Sequence, residues 1–165
     1  MSAISVAARC LLGVVFLVSA LSKRDFPTFS LSLRRMRMVP PAWVTPVAAM
    51  VVAAEALTVA LLAIPSTALG FALAIVLLGS FTAAIVAVLS RGITEPCPCF
   101  GPKATPLGWE HLGRNVFLLT VAVLGGLAGS GAASTGAMVV AAAAGLIVGA
   151  LITRLDDLVA LFRTA

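Results

Sequence analysis

Apolar residues in this chain fall into long runs divided by short polar breaks. The runs cover residues 3–22, 42–64, 68–89, 109–129 and 135–152. Each is about as long as a helix that crosses roughly 30 Å of hydrocarbon. The pattern predicts an all-α, polytopic integral membrane helix bundle, one domain over 1–165, with five spans or, as the alternative count, four. A cleaved leader competes for the first run, because Val18 and Ala20 suit a small-residue cleavage site. A lone Arg9 in its n-region and the length of the run favour a retained span.

The breaks differ in character. Residues 23–38 carry Lys23, Arg24, Arg34, Arg35 and Arg37, with Phe29, Leu33 and Met36 recurring at helical spacing. This fits a short basic helix lying in the membrane interface; an irregular basic loop is the alternative. Pro40-Pro41 and Pro65-Ser66-Thr67 separate the next spans. The third span is rich in small residues (Gly70, Gly79, Ser80, Ala83, Ala84), which permit close helix approach. Residues 90–108 form the central polar loop, and 154–165 a short amphiphilic tail.

Composition strengthens the membrane reading. The chain is 61% hydrophobic and 10% charged, with a mean hydropathy of +1.16, whereas soluble domains carry about 25% charged residues. The net charge of +5 is no nucleic-acid footprint: the basic residues cluster beside the spans, where cytoplasmic loops and anionic headgroups account for them. With five spans, the first loop, the central loop and the C-terminus share a side, and the loop Lys and Arg residues fall there. The positive-inside rule then places the central loop in the cytoplasm of a cell-membrane protein.

Candidate chemistry gathers at a few positions. Glu55 falls near the middle of the second span, where a carboxylate is costly and should face the bundle interior, paired or protonated. It reads as a structural hydrogen-bond anchor, favoured because no second acidic residue shares its depth, or as a proton or redox-coupled group. Cys10, inside the first span, reads as a small buried hydrophobe. The central loop holds Cys97-Pro98-Cys99. Bridging sulfurs this close makes a strained ring, and strained, exposed disulfides are the exchange-active kind. Pro96, Pro98 and Pro102 stiffen the backbone around them.

His111 and Arg114 lie three apart at the start of the fourth span, on one helical face. Either cation, or the helix N-terminus, would raise the thiolate fraction of a nearby cysteine. Trp109 is an ordinary aromatic-belt residue. Three readings of the pair follow. Thiol–disulfide exchange uses all of these features. Zinc wants four ligands and Cys97, Cys99 and His111 supply at most three, which leaves delivery of a soft ion such as Cu(I). The third reading is a docking factor with structural cysteines. No quinone, haem, flavin or other cofactor site is evident, and no metal site is assigned.

Cys97-Pro98-Cys99-Phe100-Gly101, followed by Leu107-Gly108-Trp109-Glu110-His111-Leu112-Gly113-Arg114-Asn115, resembles the methylamine-utilisation protein MauE family, within a wider group of small DoxX-like membrane proteins. Ser19-Ala20-Leu21-Ser22-Lys23, Pro40-Pro41 and Glu55 agree with it, so the resemblance covers roughly residues 1–150. It implies a four- to five-helix membrane protein that assists processing, transport or disulfide formation of a partner such as the methylamine dehydrogenase beta subunit. It also implies a thioredoxin-like partner, MauD-like, beside a disulfide-containing client. Glycine often stands between the cysteines in that family, and this chain has Pro98, which alters ring closure. A client that is exported would meet the loop on the outer face, opposite to the side the basic residues indicate.

Overall fold

The computed structural model describes residues 1–36, 39–92, 96–97, 105–106, 108–128, 131 and 133–163, with 96–97, 105–106 and 155–163 described by backbone alone. Helix α1 (Ala3–Ser22) begins at Ser2, whose Oγ accepts the Ser5 N–H at 3.2 Å, filling one of the donors a helix start leaves open. Helix α2 (Phe26–Arg35) is capped by Asp25, which accepts from Thr28 N and, at 2.6 Å, from Thr28 Oγ1. Pro27 occupies its first turn and Arg34 and Arg35 its last, the placements that the fixed proline φ and the helix dipole favour. The basic break is therefore a short helix and not an irregular loop.

A 3₁₀ turn (Pro41–Trp43) leads into α3 (Val44–Leu62), and α4 covers Leu69–Ser90. Gly92, at φ 65°, follows the α4 C-cap and returns its N–H to Leu89 O, the left-handed stop that glycine adopts without strain. Two short strands, β1 (Pro96–Cys97) and β2 (Thr105–Pro106), pair antiparallel with Cys97 opposite Thr105. Helices α5 (Trp109–Leu127) and α6 (Thr135–Arg163) complete the order. The tail expected beyond residue 153 thus continues α6 rather than forming a separate element.

Helices α1, α3, α4 and α5 pack in a ring, each against its two neighbours, and α6 lies along α1 outside it. The ring closes on Leu12, Val15 and Phe16 of α1, Leu62 of α3, Phe71, Ala74 and Leu78 of α4, and Leu118 and Ala122 of α5. Outward positions are apolar too, among them Met50, Leu57, Val76, Val139 and Val140. A bundle apolar on both faces has lipid as its solvent. Hydroxyls inside the helices are returned to their own backbone, as in Thr58 to Ala54 O, Ser80 to Val76 O and Thr120 to Val116 O, which spares them unpaired exposure to hydrocarbon.

Among the described residues, four helices are long and apolar enough to cross a membrane: α1, the Pro41–Leu62 segment, α4, and Thr135–Arg154 of α6. Helix α5 is built into the ring, yet Glu110, His111, Arg114 and Asn115 occupy its first two turns and lower its apolarity. The lower of the two span counts is the one that length and apolarity support. Chain direction alternates through α1, α3, α4 and α5. One end of the bundle therefore gathers the finishes of α1 and α4 with the starts of α3 and α5, together with α2 and the β-ladder.

Candidate functional site

At that end the C-terminal turn of α1 faces α3 across a buried ionic cluster. Lys23 caps α1, and because helical side chains lean towards the N-terminus its stem folds back along the helix. Its Nζ donates to Glu55 Oε1 at 2.8 Å and Oε2 at 3.0 Å, and to Ser19 Oγ at 2.7 Å. Ser19 Oγ in turn donates to Glu55 Oε1 at 2.9 Å. Glu55 and Ser19 are fully buried and Lys23 is 3% exposed. Every Lys23 proton has an acceptor, and both carboxylate oxygens are met, which a charge pair removed from water requires. Burial pushes the Lys23 ammonium down from its ordinary value and the Glu55 carboxylate partly offsets this.

Helix α2 roofs the cluster. The buried Phe29 ring of α2 has its centroid 5.4 Å from Lys23 Nζ, within cation–π range. At the other end of α2, Met36 packs with Ile85, Val88 and Leu89 of α4 and Leu112 of α5. The strand β1 lies against α2. Backbone position 97 thus borders the helix that covers the Lys23–Glu55 pair. The Cys97 side chain and the whole of Cys99 lie outside the described residues, as does any bond between them.

The first turns of α5 bury their polar residues against the bundle. His111, Arg114 and Asn115 are all buried, while Trp109 is exposed. The Gly108 N–H donates to His111 Nδ1 at 3.3 Å, which leaves Nε2 to carry the ring proton. Arg114 adds a guanidinium to this face one turn further along α5. Asn115 Nδ2 reaches across to α4, donating to Leu78 O and Thr82 Oγ1, both at 3.3 Å. Trp43 and Trp109, both exposed, stand at the starts of α3 and α5 at this same end, where amphipathic indoles mark a membrane interface.

The structure brings Glu55 together with a residue that the sequence assigned elsewhere. Lys23 reads as one of a run of surface cations, whereas in the structure the hydrogen-bond anchor expected at Glu55 is formed with Ser19 and Lys23, the latter as an ion pair. A signal existed. A carboxylate inside a span calls for a cation, and Lys23, four residues after a span serine, is the basic residue closest to the end of an apolar run. Asn115 also carries a tie between helices that spacing alone did not single out. Cys10 is half-buried in α1 and unpaired. Among the described residues no group of three His, Cys, Asp or Glu side chains is placed to hold a metal ion.

A ring of apolar helices with an ionic pair sealed inside one end defines a multi-pass helical membrane protein. Residues 1–128 match the methylamine utilisation protein MauE family, and the chain belongs to that family. The match ends before α6, short of the residue 150 that the sequence resemblance reached. The family makes this a membrane protein associated with methylamine utilisation. No curated protein and no solved structure matches the chain.

Proposed function

We propose that this MauE protein acts in thiol–disulfide exchange at the cell membrane, with Cys97 and Cys99 as its redox pair. It passes electrons between a thioredoxin-like protein and a disulfide-containing client such as the methylamine dehydrogenase beta subunit. The observation that carries the reading is the position of β1 against α2, at the end where α5 buries Arg114 in its second turn. A guanidinium and a helix N-terminus both favour thiolate over thiol.

The exchange balances without a bound cofactor. One thiolate attacks a disulfide sulfur of the partner, the partner's S–S bond breaks, and a partner thiolate leaves. The second cysteine then attacks the mixed disulfide, giving an oxidised Cys97–Cys99 pair and a fully reduced partner, two electrons having moved. The reverse sequence donates a disulfide to a client.

Single replacements test this by stalling the second step. Cys97→Ser or Cys99→Ser should accumulate a covalent adduct on non-reducing gels, and Cys97→Ser/Cys99→Ser should abolish it. Partner that co-purifies equally with the double variant, with no adduct in either single, would make the protein a docking factor. Copper or zinc that co-purifies and is lost in the double variant would make it a metal-delivery protein.

A further inference from the structure

At the end of the bundle opposite the cysteines, Arg9 stands on α1 beside the connection between α3 and α4. Its Nη1 donates to Leu62 O at 3.0 Å and Ile64 O at 2.9 Å, and its Nη2 to Thr67 O at 2.7 Å and Pro65 O at 3.4 Å. These carbonyls include ones that the end of α3 would otherwise leave open. The Phe71 ring lies 4.8 Å away. Four of the five guanidinium N–H groups are thus spent on neutral acceptors. The fifth, on Nε, is buried and meets no acceptor among the described residues. No carboxylate balances the charge: residues 1–24, 56–94 and 111–155, which supply this end of the bundle, contain no Asp or Glu.

Two cavities meet at Arg9. One, of about 270 Å³, is bordered by Ser5, Ser66 and Thr67. The other, of about 360 Å³, is an apolar groove between α1, α3 and α6, bordered by Cys10, Gly13, Leu17, Val59 and Leu146. An uncompensated cation joining a polar pocket to an apolar groove has the build of a phospholipid in negative. A zwitterionic lipid brings its own cation beside the phosphate, so only an anionic headgroup supplies the net charge missing here. We propose that this is a binding site for one anionic phospholipid, its phosphate at Arg9 and the serine-lined pocket and one acyl chain along the Gly13 groove.

The test uses the full chain, delipidated in a neutral detergent and offered dioleoyl phosphatidylglycerol and dioleoyl phosphatidylcholine in equal amounts. Native mass spectrometry should show phosphatidylglycerol retained about fivefold over phosphatidylcholine, the ratio one near-surface cation confers. The preference should shrink as salt is raised. Arg9→Gln should abolish it, but that change also uncaps α3, so Gly13→Leu decides. A Cβ at Gly13 would meet nothing within 4 Å, so the leucine fills the groove while leaving the Arg9 bonds intact. This variant should melt no lower than the wild type and lose most of the retained lipid. Equal retention of the two lipids overturns the proposal, as does unchanged retention in Gly13→Leu. Competition by inorganic phosphate as effective as by the lipid would make this a plain anion site and also overturn it.

Discussion

Glu55 can sit inside a span because one cation and one hydroxyl meet its carboxylate oxygens. Removing one member of such a pair strands the other in low dielectric, whereas replacing both with apolar groups of similar volume is often close to neutral. Glu55→Leu or Lys23→Met alone should therefore destabilise the bundle by about 3 kcal/mol, while Lys23→Met/Glu55→Leu recovers most of that loss. Reversible unfolding in mild detergent reads the cycle. Additive losses in the double variant would mean that the two side chains stabilise the fold separately, against the 2.8 Å contact. The sequence offered both residues but not their partnership. Thirty-two positions separate them, and only the back-folded stem of a C-capping lysine brings the ammonium to the depth of the carboxylate.

Helix α6 is held by backbone proximity more than by side-chain bulk. Gly145 and Gly149, one turn apart, run along Ala7 and Leu11 of α1. A Cβ at Gly149 would lie 2.9 Å from Leu11 O, and one at Gly145 would collide with Ala7 O. This is the small-residue approach by which membrane helices gain van der Waals contact without a hydrophobic drive. Gly145→Val should cost about 1–3 kcal/mol as an overpacking defect. Gly136→Ala, where a Cβ meets nothing within 4 Å, should be neutral or slightly stabilising; unfolding of both variants beside the wild type checks the contrast. Small residues were legible in the sequence, but not which of them touch: Gly79 of α4 meets nothing within 4 Å. Apolar runs, by contrast, placed α1, α3 and α4 within a few residues, because hydropathy over a span is a sum and tolerates local error. The run 109–129 likewise begins where α5 does, and only the end of α6 was harder to read, since polar residues there simply continue a helix.

Across the whole molecule the charges are unequally divided. Arg24, Arg34, Arg35 and Arg91 lie at the end that carries α2 and the β-ladder, with Lys23 neutralised beside Glu55. The opposite end carries Arg9. Basic residues beside spans resist translocation, so the cysteine end should face the cytoplasm. A membrane-impermeant maleimide, applied to intact cells and to inverted vesicles in a Cys10→Ser background, measures this directly. Labelling of Cys97 and Cys99 is expected in inverted vesicles alone, and to rise after reduction if the pair forms an exchange-active bond. An exported client would then need a relay partner to reach the loop. Labelling of intact cells, only after reduction, would reverse the topology and set an oxidised pair on the outer face beside such a client. The sequence could pose this choice but not decide it: charge asymmetry is a statistical preference of insertion, whereas exchange is decided by which compartment the two sulfurs meet.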